Sequence, residues 1–361
     1  MPAGGYHGRV LVADAGSGVA HHEPLPDPVA ERLVGGVGLG AWLLHVHAAP
    51  GVEPLAPEAP LVIALSPLVG TPLTTSAKFA VVAKSPLTGR ICDALASDRF
   101  AIELKGCGID ALVVTGRAAR WSLLVVDEDG ARLEPADDLL GLSSLESEER
   151  VRARRGDAWR FFGIGPAGEA LVRYATISGD SRHAGRGGLG AVLGSKRLKG
   201  IAVRGRRPTP LADPERVLAL ARELSARSLG PGTAKYRALG TVTNLLAMNR
   251  LSALPTRNFQ AGSFEHADAI SGEALHALPS VRRHCAACTI GCEHVFETSG
   301  GRRVRMEYEG LFALGPLCGI GDRDAVLEAS ALCDGLGLDV ISAGGTIAFA
   351  MECRERGLLD G

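Results

Sequence analysis

The chain has 361 residues, of which 46% are hydrophobic and 22% are charged, and its formal net charge is −1. This length is enough for two domains with large cores, and the balanced charge argues against nucleic-acid binding, which needs a basic excess. The longest apolar runs, such as 60–65, are too short to cross a bilayer, and the first residues show no apolar secretory signal. We therefore expect a cytoplasmic protein that binds neither nucleic acid nor membrane.

Short apolar runs rich in β-branched residues recur through the first two hundred residues. They predict strands at 61–65, 79–83, 111–115, 123–126 and 201–205. Gly, Pro and Asp between the runs mark turns. The glycine-rich run at 35–40 lacks both the spacing of a dinucleotide fingerprint and a preceding strand, which argues against a Rossmann fold.

Beyond a predicted linker at 204–214, the pattern changes to helix. Asp213 is expected to cap a helix that begins at Pro214. Two further helices are predicted, at about 324–334 and at about 342–356. We therefore predict an α+β protein with a β-rich domain at 1–206 and a helical domain at 207–361.

Three cysteines lie within eight positions, at Cys285, Cys288 and Cys292. The small residues between them permit the three thiolates to converge on a compact metal centre. An iron–sulfur cubane needs four ligands, usually all cysteine, so a fourth ligand must come from elsewhere. Two alternatives remain open: a zinc site completed by His284 or His294, or three buried cysteines that bind no metal.

Glycines at 163–168 and 185–190 suggest a loop that approaches a phosphate-bearing ligand. Backbone N–H groups contact phosphates closely and cations neutralise them, although most glycine-rich segments are ordinary turns. The cations near these glycines are Arg182, Arg186, Lys196 and Lys199.

Two groups of acids follow the cysteines. Glu307 and Glu309 can transfer protons if one of them is buried, and otherwise form a solvated pair. Asp334 and Asp339 lie in the segment DGLGLD at a helix end. Their carboxylates can accept hydrogen bonds from a heterocycle rich in N–H groups, whereas the alternative is a simple helix C-terminal turn.

Long motifs occur in a characteristic order: AVVAKSPLTG, IGPAGEALVRYATI, HAGRGGLGAVLGSKRLKGIAVRG, RNFQAG, CAACTIGC, EYEGLFALG and CDGLGLDVISAGGTIAFAMECRERG. Together they resemble the aldehyde:ferredoxin oxidoreductase family over nearly the whole chain. The resemblance implies a first domain of two β-sheets that cradle a tungsten (or molybdenum) bis-pyranopterin, followed by helical domains. It also implies oxidation of an aldehyde to a carboxylic acid, with electrons leaving through a [4Fe-4S] cluster to a ferredoxin-like acceptor.

The resemblance assigns roles to individual residues. Three ligands of the [4Fe-4S] cluster are matched by Cys285, Cys288 and Cys292. The residues matched to pterin contacts are Arg182, Gly185, Asp334, Leu338 and Asp339. Glu309 matches the acid beside the metal, and a Mg²⁺ ion is expected to bridge the pterin phosphates.

Three positions depart from the family pattern. Lys78 stands where the family has an arginine that links a pterin to the cluster, so the bidentate fork is lost. The segment Leu95–Phe100 replaces a glycine-containing stretch that helps to hold the ion bridging the phosphates. His183 replaces a small residue in the glycine-rich loop.

The family also continues through a third domain with a second pterin motif, a fourth cluster cysteine and an active-site histidine, none of which this chain matches. We therefore expect a missing C-terminal domain or a partner chain to complete the site. The alternatives are a truncated, non-catalytic family member, one half of a split enzyme, or a structural protein held together by zinc.

Overall fold

The computed structural model describes residues 4–359, which form two compact units. The first unit runs to Leu224 and includes Gly335–Gly337, and the second comprises Ser225–Asp334 and the residues from Leu338 onward. The domain boundary predicted at 206/207 precedes this division and stays a prediction.

Twelve strands of the described first unit form two six-stranded sheets. The first sheet contains β1 (Arg9–Asp14), β2 (Val19–Pro24), β3 (Leu61–Leu65), β4 (Lys78–Lys84), β5 (Ile91–Ser97) and β6 (Ala111–Thr115). The second contains β7 (Ser122–Asp127), β8 (Gly130–Pro135), β9 (Arg160–Gly163), β10 (Ile177–Gly179), β11 (Arg182–Ala184) and β12 (Leu198–Val203). The spatial orders are 2-1-6-3-4-5 and 11-10-9-12-7-8. The β1–β6 and β7–β12 pairs are parallel, and the other pairs are antiparallel.

Helices cover the outer faces of both sheets. The helices of this unit are α1 (Asp27–Leu33), α2 (Gly36–His47), α3 (Arg99–Gly106), α4 (Ser144–Arg155), α5 (Pro166–Glu169) and α6 (Leu189–Ser195). The inner faces of the two sheets share one core with α3 and α6. The outer face of the first sheet packs on α1 and α2, and that of the second packs on α4.

This layering explains the apolar runs in the sequence. In β3 every residue is buried, because Ile63 faces the central core and Val62 faces α2. A strand covered on both faces reads as a continuous apolar run rather than as an alternation. All five predicted segments lie within or overlap strands, namely β3, β4, β6, β7 and β12, so these predictions are confirmed.

A buried ion pair ties the first residues of the described chain to the sheet. Lys105 Nζ lies 2.5 Å from Asp110 Oδ1, and both side chains are at most 1% exposed. Lys105 Nζ also donates to the carbonyl of Gly5 at 2.7 Å, and the Asp110 carboxylate accepts from the N–H groups of His7 and Gly8. The pair therefore joins the segment before β1 to the start of β6, its parallel neighbour.

The remaining helices are α7 (Pro214–Ser228), α8 (Ala234–Leu239), α9 (Asn244–Arg250), α10 (Gly272–Leu275), α11 (Tyr308–Leu314), α12 (Arg323–Leu336) and α13 (Val340–Glu355). Asp213 caps α7 as predicted, since its Oδ1 accepts from Arg216 N at 3.0 Å. The two later predicted helices are confirmed as α12 and α13. The observed α12 extends beyond the predicted 324–334 at both ends, and α13 begins and ends slightly earlier than the predicted 342–356.

The second unit also contains a small antiparallel sheet that the sequence did not predict. Its strands are β13 (Ser280–Arg283), β14 (Glu293–Glu297) and β15 (Arg303–Met306), in that spatial order. The α+β class is confirmed. Among residues 4–359, no helix combines the length and apolarity needed to cross a membrane.

Candidate functional site

The glycine-rich loop of the first unit follows a tight hairpin. Asp180 and Ser181 join β10 to β11, and their φ values of 44° and 58° are both positive, as a two-residue type I′ turn requires. Arg182 begins β11 and Gly185 directly follows it. The hairpin therefore places these two residues, which the resemblance assigns to the pterin, at opposite ends of one short strand.

Three glycines in the loop before α6 are under different constraints. At Gly187 (φ +80°) a Cβ would lie 2.0 Å from Cys92 Sγ, and at Gly188 (φ +75°) it would lie 2.0 Å from the carbonyl oxygen of Arg173. Packing within the chain explains both glycines. Gly185 has an ordinary φ of −85°, and no described atom lies within 4 Å of a Cβ placed there. The open space at Gly185 therefore fits close approach by a bound ligand.

The histidine that departs from the family pattern is held by the same hairpin. His183 Nδ1 lies 2.7 Å from Ser178 Oγ, which in turn lies 3.2 Å from Thr176 Oγ1. Arg182, its neighbour, is buried. Hydrogen bonds between β10 and β11 thus fix the strand that leads into the glycine-rich loop.

Two lysines that the sequence suggested as phosphate partners point into the protein instead. Lys196 Nζ donates to the carbonyls of Pro57 and Ala59 at 3.0 and 2.5 Å, and burial lowers the pKa of its ammonium to about 8. Lys199 Nζ pairs with Glu169 at 2.5 Å. Both lysines are fully buried, so this part of the interpretation is wrong.

The departures at Lys78 and in the segment Leu95–Phe100 lie at one corner of the first sheet. Lys78 opposes Ser97 in the register of β4 and β5. Lys78 and Leu95 are both exposed, and Leu95 lies two residues from Ser97 on the same face of the sheet. A lysine charge therefore remains beside the segment that departs from the family pattern.

Asp98, in the same segment, is a buried acid. Its Oδ1 accepts from Phe100 N at 2.8 Å and caps α3, whereas Oδ2 has no hydrogen-bond partner among the described residues. Burial, followed by the charges of Glu148 and Asp180, raises the pKa of Asp98 from 3.8 to about 7. The carboxyl therefore holds a proton well above the usual range for aspartate.

We expect Asp98 to make stability depend on pH. A group whose pKa rises on folding stabilises the folded state fully below its unfolded pKa of 3.8, and the contribution is lost as pH rises through about 7. Asp98→Asn keeps an oxygen for Phe100 N but cannot ionise. Its free energy of unfolding should rise relative to the wild type by ~2–4 kcal/mol between pH 4 and pH 8, which urea unfolding measures.

The control for this prediction is Asp213→Asn, the same change at the exposed N-cap of α7. There the side chain is open to solvent, so this variant shows the effect of the same change without burial. An Asp98→Asn difference that depends on pH no more steeply than the Asp213→Asn difference would contradict the prediction.

The cysteine cluster forms the loop between β13 and β14. These strands pair from Ser280 opposite Phe296 to Arg283 opposite Glu293, so residues 284–292 close the hairpin. Cys288 N donates to the carbonyl of Cys285 at 3.1 Å. Left-handed φ values at Ala287 (53°) and Gly291 (62°) produce further sharp turns.

The three cysteines of this loop form no disulfide and are partly buried. Burial of Cys292 raises the pKa of its thiol, and the charges of Glu307, Cys285 and Cys288 add to the rise. Within residues 4–359, no three or more His, Cys, Asp or Glu side chains stand close enough together to hold a metal ion. The donor chemistry nevertheless fits a cysteine-ligated cluster, because one turn-rich loop carries three cysteines that form no disulfide.

The two histidines considered as zinc ligands lie in different places. His284 Nδ1 lies 3.0 Å from the carbonyl of Cys288, and the His284 ring covers Gly291, where a Cβ would lie 2.5 Å from the ring. His294 is buried, with its ring 4.7 Å from that of His276. Of the two, His284 is the one held against the cysteine loop.

The segment 334–339 connects α12 to α13. Gly337 has φ +78°, and Leu338 N donates to the carbonyl of Cys333 at 2.8 Å, which closes α12. The buried Asp339 caps α13, accepting from Ser342 Oγ at 2.5 Å. Asp334 is partly buried in the last turn of α12. The segment thus forms a helix-terminal turn, and its assignment to the pterin stays a prediction.

Of the two acids after the cysteines, the structure encloses Glu307 rather than Glu309. Glu307 accepts from Thr241 Oγ1, and Arg305 Nη2 lies 3.0 Å from its Oε1. Glu309 is exposed in the first turn of α11. No sequence motif singled out the arginine beside Glu307, although it stands only two residues before that acid.

Comparison with known proteins gives the family. The N-terminal domain of aldehyde ferredoxin oxidoreductase matches residues 10–205, and domains 2 and 3 of aldehyde ferredoxin oxidoreductase match residues 221–361. The chain therefore belongs to the aldehyde ferredoxin oxidoreductase family, as its motifs predicted.

Similar proteins fall into two groups. The chain is 39% identical, over 98% of its length, to tungsten-containing aldehyde ferredoxin oxidoreductases of Pyrococcus furiosus and Thermococcus kodakarensis, and covers 59% and 60% of them. It is 27% identical, over 98% of its length and 60% of that protein, to an aliphatic sulfonate oxidoreductase, WOR-like subunit, of Pyrococcus furiosus.

One solved structure is similar over nearly the whole chain. It is the active site complex BamBC of benzoyl coenzyme A reductase in complex with 1,5-dienoyl-CoA. The TM-score is 0.86 at 26% identity, with coverage of 99% of this chain and 57% of the other. The chain thus spans about three-fifths of the length of its curated relatives.

Proposed function

We propose that this chain is part of a cytoplasmic enzyme that oxidises an aldehyde to a carboxylic acid at a tungsten (or molybdenum) bis-pyranopterin, and that electrons leave through a [4Fe-4S] cluster to a ferredoxin-like acceptor. One observation carries the proposal: a loop of three cysteines that form no disulfide lies in a chain that is 39% identical to tungsten-containing aldehyde ferredoxin oxidoreductases. In the reaction, aldehyde and water give the acid, two electrons and two protons.

Cys285, Cys288 and Cys292 would hold the cluster. Their shared hairpin loop supports this role, since it fixes the three thiols on one short segment. The fourth ligand would come from outside this loop. When bound, such a cluster carries one electron at a time at low potential.

The pterin would be held in part by the first unit. The buried Arg182 guanidinium would neutralise phosphate, and the open space at Gly185 would admit the ligand close to the backbone. A Mg²⁺ ion would be held by backbone carbonyls of the segment Leu95–Phe100, in which Leu95 is exposed. The bound tungsten or molybdenum supplies two-electron redox chemistry.

Asp334, Leu338 and Asp339 would also contact the pterin. Asp339 and Leu338 are held by the α12–α13 turn, so their positions would be fixed before the pterin binds. Asp334 would accept hydrogen bonds from ring N–H groups.

Glu309 would accept a proton released when the aldehyde is oxidised. Its carboxylate is exposed at the start of α11, where solvent can take the proton onward. The enclosed Glu307 is occupied by Thr241 and Arg305, which supports Glu309 as the proton acceptor of the pair.

Elemental analysis of the anaerobically purified protein tests this function. We expect about one W or Mo and about four Fe per chain, together with dye reduction that depends on added aldehyde. About one Zn per chain without Fe would instead indicate a structural zinc site. A protein with neither iron nor tungsten or molybdenum would overturn the proposal for this chain.

A second candidate function is reduction of an aromatic coenzyme A thioester, which the TM-score of 0.86 to the benzoyl coenzyme A reductase complex favours. The higher identity to aldehyde enzymes, 39% against 26%, supports the first candidate. Oxidation of a reduced dye on addition of benzoyl coenzyme A, without any response to aldehydes, would reverse this preference.

A further inference from the structure

An arginine is built into the sheet that carries the cysteine loop. Arg305 lies on β15 directly opposite Val295 of β14, and Glu293 occupies the same face of β14 two residues earlier. Arg305 Nη2 lies 3.0 Å from Glu307 Oε1, and Nε lies 3.6 Å from Glu293 Oε1. Two carboxylates thus hold one guanidinium on this face of the sheet.

The guanidinium points toward the end of the sheet from which the cysteine loop emerges. Glu293, its diagonal partner, is the first residue of β14 and directly follows Cys292. The Arg305 side chain is 22% exposed and that of Glu293 is 2% exposed. The positive charge is therefore fixed beside the loop rather than displayed to solvent.

The charges around Arg305 are consistent with its position beside the cysteine loop. Burial acts to lower the pKa of Arg305, but the charges of Glu307, Asp334, Glu293 and Cys285 outweigh burial and raise it. Arg305 is thus close enough to a cysteine of the loop for their charges to interact, and it stays protonated.

We propose that Arg305 is a positioning residue that sets the reduction potential of the cluster held by the cysteine loop, with Glu293 and Glu307 fixing its guanidinium. The inference rests on the proposed function, which supplies the cluster. Reduction adds one electron, and hence one negative charge, to the cluster. A fixed cation nearby stabilises the reduced form and raises the midpoint potential, whereas nearby carboxylates lower it.

Substitutions that remove the positive or the negative charges of this group are expected to shift the midpoint potential of the cluster in opposite directions. Arg305→Met removes the cation and leaves two acids, so the midpoint potential should become more negative. Arg305→Lys keeps the charge and should lie near the wild type. Glu307→Gln removes one acid and should make the potential more positive.

The chain offers a matched control on the same strand. Arg303 lies on the same face of β15, two cross-strand pairs farther from the loop, and pairs with Glu297 at an exposed site. Arg303→Met makes the same chemical change and should leave the potential close to that of the wild type.

The experiment is a redox titration monitored by electron paramagnetic resonance, on the full chain after anaerobic reconstitution with iron and sulfide. The expected result is the order Arg305→Met below wild type below Glu307→Gln. Equal potentials in proteins that all carry the cluster would overturn the inference and leave the proposed function intact. A wild-type protein that binds no iron would show that the loop holds no iron–sulfur cluster, and it would therefore overturn the proposed function. If Arg305→Met does not fold, Arg305→Gln removes the same charge but keeps a polar side chain, and it should shift the potential in the same negative direction.

Discussion

Replacing Cys288 with alanine is expected to remove the iron from the protein. Cys288 is the middle thiol of the hairpin loop, and its N–H bonds to the carbonyl of Cys285. A cubane that loses one of three loop thiolates keeps only two fixed ligands, and iron–sulfur clusters need a nearly complete cysteine set. We expect iron to fall from about four per chain to near zero, together with the broad visible absorbance, which metal analysis and spectroscopy measure.

The matched control is Cys353→Ala, which removes another free and partly buried thiol, on α13. It should retain the full iron content. If Cys288→Ala keeps as much iron as Cys353→Ala, the loop does not ligate a cluster. If both the wild type and Cys353→Ala contain zinc, and Cys288→Ala alone lacks it, the loop is a zinc site instead.

Five strands of the first unit were predictable because almost all of their residues are buried. β3 and β6 contain almost only buried aliphatic residues, and such runs are visible in a single sequence. The division into two sheets came from the family resemblance rather than from periodicity. Strand order could not be derived, because pairing joins segments as distant as β7 and β12.

The small sheet of the second unit was missed for a physical reason. β13 is exposed at all four residues, so it has no apolar alternation to reveal it. β14 begins directly after the cysteines. Their spacing indicates a metal site, and it gives no sign that a strand follows. As a result the sequence singled out the cysteine cluster, whose metal role stays a prediction, but showed neither its place on a hairpin loop nor Arg305 beside it.

Side-chain direction was the least predictable property of the candidate site. Lys196 and Lys199 stand among glycines in the sequence, yet both ammonium groups turn inward to carbonyls or to Glu169. Periodicity does not fix this direction for long side chains, whose charged ends reach several residues away. Likewise a pair of acids in sequence gave no sign that Glu307 is enclosed and Glu309 exposed.

Gly185 and Gly188 should respond to alanine in opposite ways, although they are three residues apart in one loop. At Gly188 a side chain meets both a φ of +75° and the Arg173 carbonyl oxygen at 2.0 Å. A left-handed residue costs ~1–2 kcal/mol and forced overpacking costs ~1–3 kcal/mol. Gly188→Ala should therefore lower the free energy of unfolding by ~2–5 kcal/mol in urea, whether or not a cofactor is bound.

Gly185→Ala should leave the fold intact and remove the pterin. Its φ of −85° suits alanine, and no described atom lies within 4 Å of the new Cβ, so stability should change by less than ~0.5 kcal/mol. The added methyl group would occupy space that the proposed pterin needs, and tungsten or molybdenum per chain should fall sharply while iron is retained. A Gly185→Ala protein with wild-type metal content would show that the open space is not part of the pterin site. A large loss of stability would show instead that the fold itself requires glycine there.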